Sequence, residues 1–319
     1  MQAEAFRKIH PLQYHLKFLN QGVRPDGRGL LRARRVVANT RVITAADGSA
    51  MVKLGQTMVL VGIQAQPICP LESDPGRGRI VVSLELAATS SHAAGTAGRS
   101  GGQGARLERE QAAVLEALQR QASSGCVDLD TLCIEKGRAV WNCLCDIYVL
   151  EADGNLLDAC LLAMSCALQD VRLPAVEVRE DEVKGTLIYV QQEAAVPLVQ
   201  GVTQYAISFG LLDSHLILDP TGEEELLLST SFTLLLDEDG NFCALHKAGG
   251  GPISQALIDQ SLAAARKWLP KLTALLRQCA AVHKEAHIGA MPMLSGTASS
   301  PCASRDQGGS AKKKLKAKV

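Results

Sequence analysis

Aromatic side chains are scarce in this 319-residue chain: Phe, Trp and Tyr together make up 3% of it. Modules that grip single-stranded RNA by stacking its bases need such rings, so a free-standing stacking platform is excluded. The core must then be built from Leu, Val, Ala and Ile. Net charge is missing too, with 33 Lys and Arg against 33 Asp and Glu. The balance is uneven, because residues 289–319 hold six basic side chains against Asp306 alone, which leaves the remainder at −5. A mildly acidic body does not hold a polyanion through its overall field; such a ligand must meet a local patch. No apolar run approaches the ~20 residues that cross a bilayer. Ten cysteines are present without a Cys-x-x-Cys pair, so no zinc site is expected. They lie in apolar runs such as Trp141–Cys145, and the opening residues lack the charged-then-apolar pattern of a secretory signal. Buried, reduced thiols follow.

What is present is an ordinary folding composition, 47% hydrophobic and 21% charged. The pattern begins with one helix through Ile9–Leu19, stopped at Asn20-Gln21-Gly22. Arg24-Pro25-Asp26-Gly27-Arg28 follows as a turn. Strand patterning then runs from Leu31 to Ala65, with turns at Ala46–Ser49 and Gly55-Gln56, and resumes at Arg79–Leu86. The small, Gly-rich stretch from Ala87 to Gly104 is expected as a surface loop. An amphipathic helix over Leu107–Ala122 precedes strands at Leu132–Glu135 and Ala139–Leu150. The turn Ala152–Asn155 leads into a helix, Leu156–Gln169, that is apolar nearly all round and therefore buried. Further strands are expected at Ala206–Leu211, His215–Leu218, Leu226–Leu236 and Phe242–His246, then a long helix from Ile253 to about Glu285. Strands then helices, twice over, is a pseudo-duplicated α+β plan. It divides into an N-terminal helix and arm (1–30), a first domain (31–175), a second domain with the closing helix (176–288) and a Lys-rich tail (289–319) expected to be disordered.

Several blocks occur in series: Arg24–Arg28, Ala46–Gly55, Ile134–Gly137 with Val140-Trp141, Ala152–Cys160, Leu218–Glu225 and His246–Gly250. Together, over roughly Pro11 to Glu285, they resemble the RNase PH-like ring subunits of the RNA exosome. The resemblance implies the RNase PH fold, a first part like ribosomal protein S5 domain 2 and a second β-rich part. It also implies a hetero-hexameric ring of related subunits, the nearest neighbour being of the ribosomal RNA-processing protein 46 type. S1/KH cap proteins, single-stranded RNA threading through the complex, and a place in nucleus, nucleolus and cytoplasm follow from it. No cofactor, metal or membrane is implied.

Active members of that family degrade RNA from its 3′ end by phosphorolysis, which needs a bound orthophosphate and an acidic group near the leaving oxygen. Their phosphate-binding Gly-Thr/Ser-Arg triplet falls here on Asn155-Leu156-Leu157. Leucine neither donates a hydrogen bond nor neutralises an anion. Asp158 follows in the first helical turn, where a carboxylate is expected to cap free amides and repel phosphate, at roughly 3 kcal/mol per charge pair for ~5 Å and an effective dielectric of ~20. A second phosphate-binding arginine would fall near Gln119 or Arg120. The family's acidic pair aligns with Asp219 and Glu225, which are either a surviving acid or a tight Asp-Pro-Thr-Gly turn with acidic flanks. Arg99, Arg106 and Arg109 are either a solvated face or sparse contacts to RNA phosphates. His246 is a structural residue or a base, and the Lys312–Lys318 run a solvated tail or a weak nucleic-acid patch. The main expectation is a non-catalytic ring subunit; the alternative is an active phosphate-dependent 3′-to-5′ exoribonuclease.

Overall fold

The computed structural model describes residues 2–87, 103–181, 185–198 and 201–286. Much of the Gly-rich stretch, Arg99 and the Lys-rich tail lie outside the described residues, as do the side chains of Arg106 and Arg109.

The first helix is in fact two, α1 (Gln2–Ile9) and α2 (Pro11–Leu19). The break is chemical. Pro11 has no N–H, and His10 before it is pushed out of the helical region to φ −131°, ψ 64°. The Arg24–Arg28 turn forms as expected: Gly27 takes φ +83° and the Arg24 N–H donates to the Arg28 carbonyl at 2.8 Å.

Strands β1 (Val36–Thr40), β2 (Gly48–Leu54), β3 (Thr57–Ile68), β6 (Ala139–Glu151) and β4 (Arg79–Leu86) lie side by side in that order, with β5 (Cys133–Glu135) added on β6. All neighbours are antiparallel except β4 and β6. Along β3, Thr57, Val59, Val61 and Ile63 are buried while their neighbours are half-covered, the period of a strand with one face on a core. Helix α3 (Gln103–Gln121) leads into a wider π turn, Ala122–Cys126, and packs on β4.

Helix α4 (Leu156–Asp170) is the axis of the molecule. Leu157 and every residue from Ala159 to Leu168 are buried, and its contacts go to β2 and β3 on one side and to β9 (Tyr205–Leu212) on the other. Five of those positions are Ala or Cys, which lets two sheets approach one helix closely. Strands β10 (His215–Leu218), β9, β11 (Thr230–Leu236) and β12 (Phe242–Gly250) form the second, wholly antiparallel sheet. Helix α6 (Gln255–Ala286) packs against β1, β9 and α4.

Two stretches differ from expectation. Residues 172–197 form an antiparallel pair, β7 (Arg172–Asp181) and β8 (Gly185–Pro197), where no element was assigned. The strand expected from Leu226 begins only at Thr230, because Thr221 and Glu224 form a reciprocal capping box that fixes a single helical turn, α5 (Gly222–Glu225), ahead of it.

Candidate functional site

Two turns meet where α4 begins. Gly154 and Asn155 both take left-handed conformations, φ +74° and +55°, and swing the chain from β6 into α4. A Cβ on Gly154 would lie 2.6 Å from the Gly222 nitrogen, so the facing turn Pro220–Gly222 requires glycine there. Asp219 opens that facing turn and is itself left-handed, at φ +53°.

Asp219 is 2% exposed, and its carboxylate is saturated. Arg34 donates its backbone N–H and Nε–H to Oδ2 at 2.7 and 2.9 Å, and Nη2–H to Oδ1 at 2.8 Å. Arg28 Nη1 donates to Oδ2 at 3.1 Å, and Asn155 Nδ2 to Oδ1 at 2.7 Å. Burial pushes the Asp219 pKa up, but these bonds and the Arg34 charge outweigh it and hold the carboxyl below its usual range. Arg34 also donates to the Asp153 carbonyl at 2.6 Å. Arg24, buried, pairs with Glu224 and donates to the carbonyls of Leu218 and Asp219 at 2.7 and 3.0 Å. Three arginines thus fasten the N-terminal segment onto the turn that carries Asp219.

Asp158 does not do what its position predicted. No side chain caps α4 from Asn155, and Asp158 turns to β9 instead. It accepts the Ser208 N–H at 2.8 Å, the Ser208 hydroxyl at 2.6 Å and an Asn155 side-chain N–H at 2.9 Å. The reason is the helix face, since the third helical residue points at the second sheet. Burial raises its pKa to about 6, against the lowering effect of those bonds. The carboxylate at the helix start is Glu225, which takes the Asn155 backbone N–H at 2.6 Å. The acidic pair Asp219 and Glu225 is therefore brought to one place, with Asp219 locked in an ion network and Glu225 on a cleft.

That cleft, about 190 Å³, is floored by Val114, Leu156, Leu157, Phe209, Leu228 and Phe232. Its polar lining is Asn155, Ser208, Glu225, Ser231, Thr233 and His246; among the described residues no lysine or arginine lines it. His246 lies within β12, and burial together with the Arg120 charge lowers its pKa, against the raising effect of Glu116. Arg120 itself is exposed and pairs with Glu116 at 3.7 Å. Gln119 is engaged elsewhere: it accepts the Val82 N–H and donates to the Ile80 carbonyl, both at 2.9 Å, closing the open edge of β4. Among the described residues no three His, Cys, Asp or Glu side chains converge to hold a metal ion.

Sequence reasoning missed Arg34. Its partners Asp153 and Asp219 are 119 and 185 residues away, so no local spacing announces the pairing. The weak signal available was an arginine beside Ala33 in a run that otherwise reads as entering a sheet.

Comparisons with known proteins give the family and the fold. Residues 32–174 match the model of the 3′ exoribonuclease family domain 1, and residues 205–267 that of its domain 2. The chain is 33% identical to the exosome complex component Rrp42 of Methanothermobacter thermautotrophicus over 254 residues, covering 80% of this chain and 89% of that protein. It is 31% identical to the exosome complex component rrp43 of Schizosaccharomyces pombe, covering 82% and 93%. A solved structure of the Archaeoglobus fulgidus exosome with RNA bound to the active site superposes with a TM-score of 0.68 at 31% identity, over 82% of this chain and 96% of that one. The chain belongs to the 3′ exoribonuclease family, with both RNase PH domains, and is a homologue of the exosome components Rrp42 and Rrp43.

Proposed function

We propose that the chain is a non-catalytic subunit of an RNA exosome ring, supporting 3′-to-5′ RNA processing and decay by scaffolding and by helping thread RNA. One observation carries the reading: among the described residues, the cleft at the start of α4, where orthophosphate must dock for phosphorolysis, is lined by leucines, phenylalanines, Asn155 and Glu225 rather than by cations. An orthophosphate placed there meets the Glu225 carboxylate, and no lysine or arginine among the described residues belongs to the lining. Asp219, the other acid of the pair, is already bound by two arginines and has no free oxygen to offer a proton. The relatives named above are components of exosomes, which supports a ring position; a 43-type place beside a 46-type neighbour is part of the proposal. S1/KH caps over the ring belong to the same reading, as do nuclear, nucleolar and cytoplasmic location.

The test is phosphorolysis by the chain alone and by the chain co-expressed with its ring partners carrying inactivated sites. Incubated with oligo(A) and phosphate, both should release no nucleoside diphosphate. Phosphate-dependent release would establish the alternative, an active exoribonuclease. Stoichiometric incorporation into a six-membered ring, measured by native mass spectrometry, is expected; a chain that stays alone beside those partners refutes the scaffold role.

A further inference from the structure

Three of the apolar residues that floor the cleft at the start of α4, Val114, Leu156 and Leu228, stay only half-buried in the folded chain. Among the described residues no lysine or arginine lines it, and Glu225 brings a carboxylate. Glu116 and Arg120, whose charges act on His246 with opposite sign, pair with each other and offset one another beside it. A half-covered apolar floor next to a carboxylate suits a segment with apolar side chains along one edge and cations along the other.

This chain carries such a segment, Lys312-Lys313-Lys314-Leu315-Lys316-Ala317-Lys318-Val319. From Lys314 onward lysine alternates with Leu315, Ala317 and Val319, and a period of two sets the two kinds on opposite sides of an extended chain. The charges match as well, since residues 289–319 carry six basic side chains against Asp306 and the remainder stands at −5. Residues 287–319 lie outside the described residues, but their starting point is set by α6. Leu272 of that helix and Asn155 border one small cavity, and Asn155 also borders the cleft. From Leu272 to Ala286 the helix advances about 21 Å at ~1.5 Å per residue, which puts the tail's origin roughly 20–30 Å from the cleft. Residues 287–311, as a coil, span about 25–30 Å, so the basic segment reaches the cleft at high effective concentration. We propose that residues 312–319 dock in the cleft of their own chain, with Leu315 against Leu156 and Leu228 and the lysines toward Glu225 and solvent. The contact covers the apolar floor and occupies the place where an outside ligand would enter. It rests on the chemistry of the cleft and of the tail, and it holds whether or not the chain performs phosphorolysis.

The test uses the full chain with the photo-reactive residue p-benzoylphenylalanine in place of Leu315. Isotopically light and heavy chains are mixed at low concentration and irradiated, and the joined peptides are identified by mass spectrometry. The expected result is crosslinks within single chains, to the peptides that hold Val114, Leu156 or Leu228. Crosslinks confined to other peptides, crosslinks between light and heavy chains, or none at all overturn the proposal. Raising the salt concentration, and Glu225→Gln, which keeps an oxygen for the Asn155 N–H, should each lower the yield at the cleft at least twofold. An undiminished yield under either change overturns the pairing of lysines with Glu225. Should Glu225→Gln fail to fold, the salt series on the unaltered cleft decides alone.

Discussion

Replacing Asp158 by Asn isolates the cost of a buried charge. In the folded chain its carboxyl titrates at about 6, because burial penalises the ionised form more than the bonds from Ser208 and Asn155 favour it. In the unfolded chain the same group titrates near 3.9. A raised acid pKa means that the fold binds the proton more tightly than the unfolded chain does. The charge is therefore a burden that is fully present above pH 6 and is relieved as pH falls toward 4. A difference of about 2 pKa units amounts to roughly 2–3 kcal/mol between pH 7.5 and pH 4. Asp158→Asn removes the titration while retaining an oxygen for the Ser208 N–H, and the Ser208 hydroxyl can accept from the new amide while it donates to Thr233, 2.7 Å away. Stability of both proteins should be measured by urea unfolding across that range. Groups other than Asp219, whose charge acts on Asp158, cancel in the difference. Relative to the variant, the native chain should gain roughly 2–3 kcal/mol on acidification. A pH-independent gap, or a gap that moves the other way, refutes the assignment of Asp158 as a strained buried acid.

Arg34→Met leaves Asp219 buried without its two-pronged partner and should lower unfolding stability by about 3–5 kcal/mol, and adding Asp219→Asn should restore part of that loss. If the double variant is no more stable than the single one, the ion network is not what Arg34 supplies. Gly154→Ala places a Cβ 2.6 Å from the Gly222 nitrogen at φ +74°, and should cost about 1–3 kcal/mol in the same assay. An unchanged midpoint would show that the two turns can part without penalty.

Much of this fold was legible because its signals are local. Arg79–Leu86 and the Gly137 turn follow from alternation and from residues that accept positive φ, and α4 follows from an apolar run entered through Asp-Gly-Asn. The split between α1 and α2 was not read: the continuous hydrophobic pattern suggested one helix, and the effect of Pro11 on the preceding residue outweighs it. Nor were residues 172–197, which pair only with each other, in a sheet of two strands. At the site, that Asn155-Leu156-Leu157 carries no cation is a matter of residue identity and is read directly from the sequence. Asp158 was expected to cap the amides that open α4, yet Glu225 takes the Asn155 N–H, because which carboxylate reaches a free N–H depends on where a turn 70 residues away is held.

By itself, the amino-acid sequence determined the family, most of the elements outside residues 172–197, and that Asn155-Leu156-Leu157 at the start of the buried helix holds no cation. Those properties reside in side-chain chemistry and in patterns spanning a few residues. Only the tertiary structure decided that Arg24, Arg28 and Arg34 converge on Asp219 and Glu224, that Asp158 faces Ser208 with its pKa raised to about 6, and that Asn155 stands between two carboxylates. The physical reason is that charge pairing and desolvation depend on distance in space, and the partners here lie up to 200 residues apart along the chain.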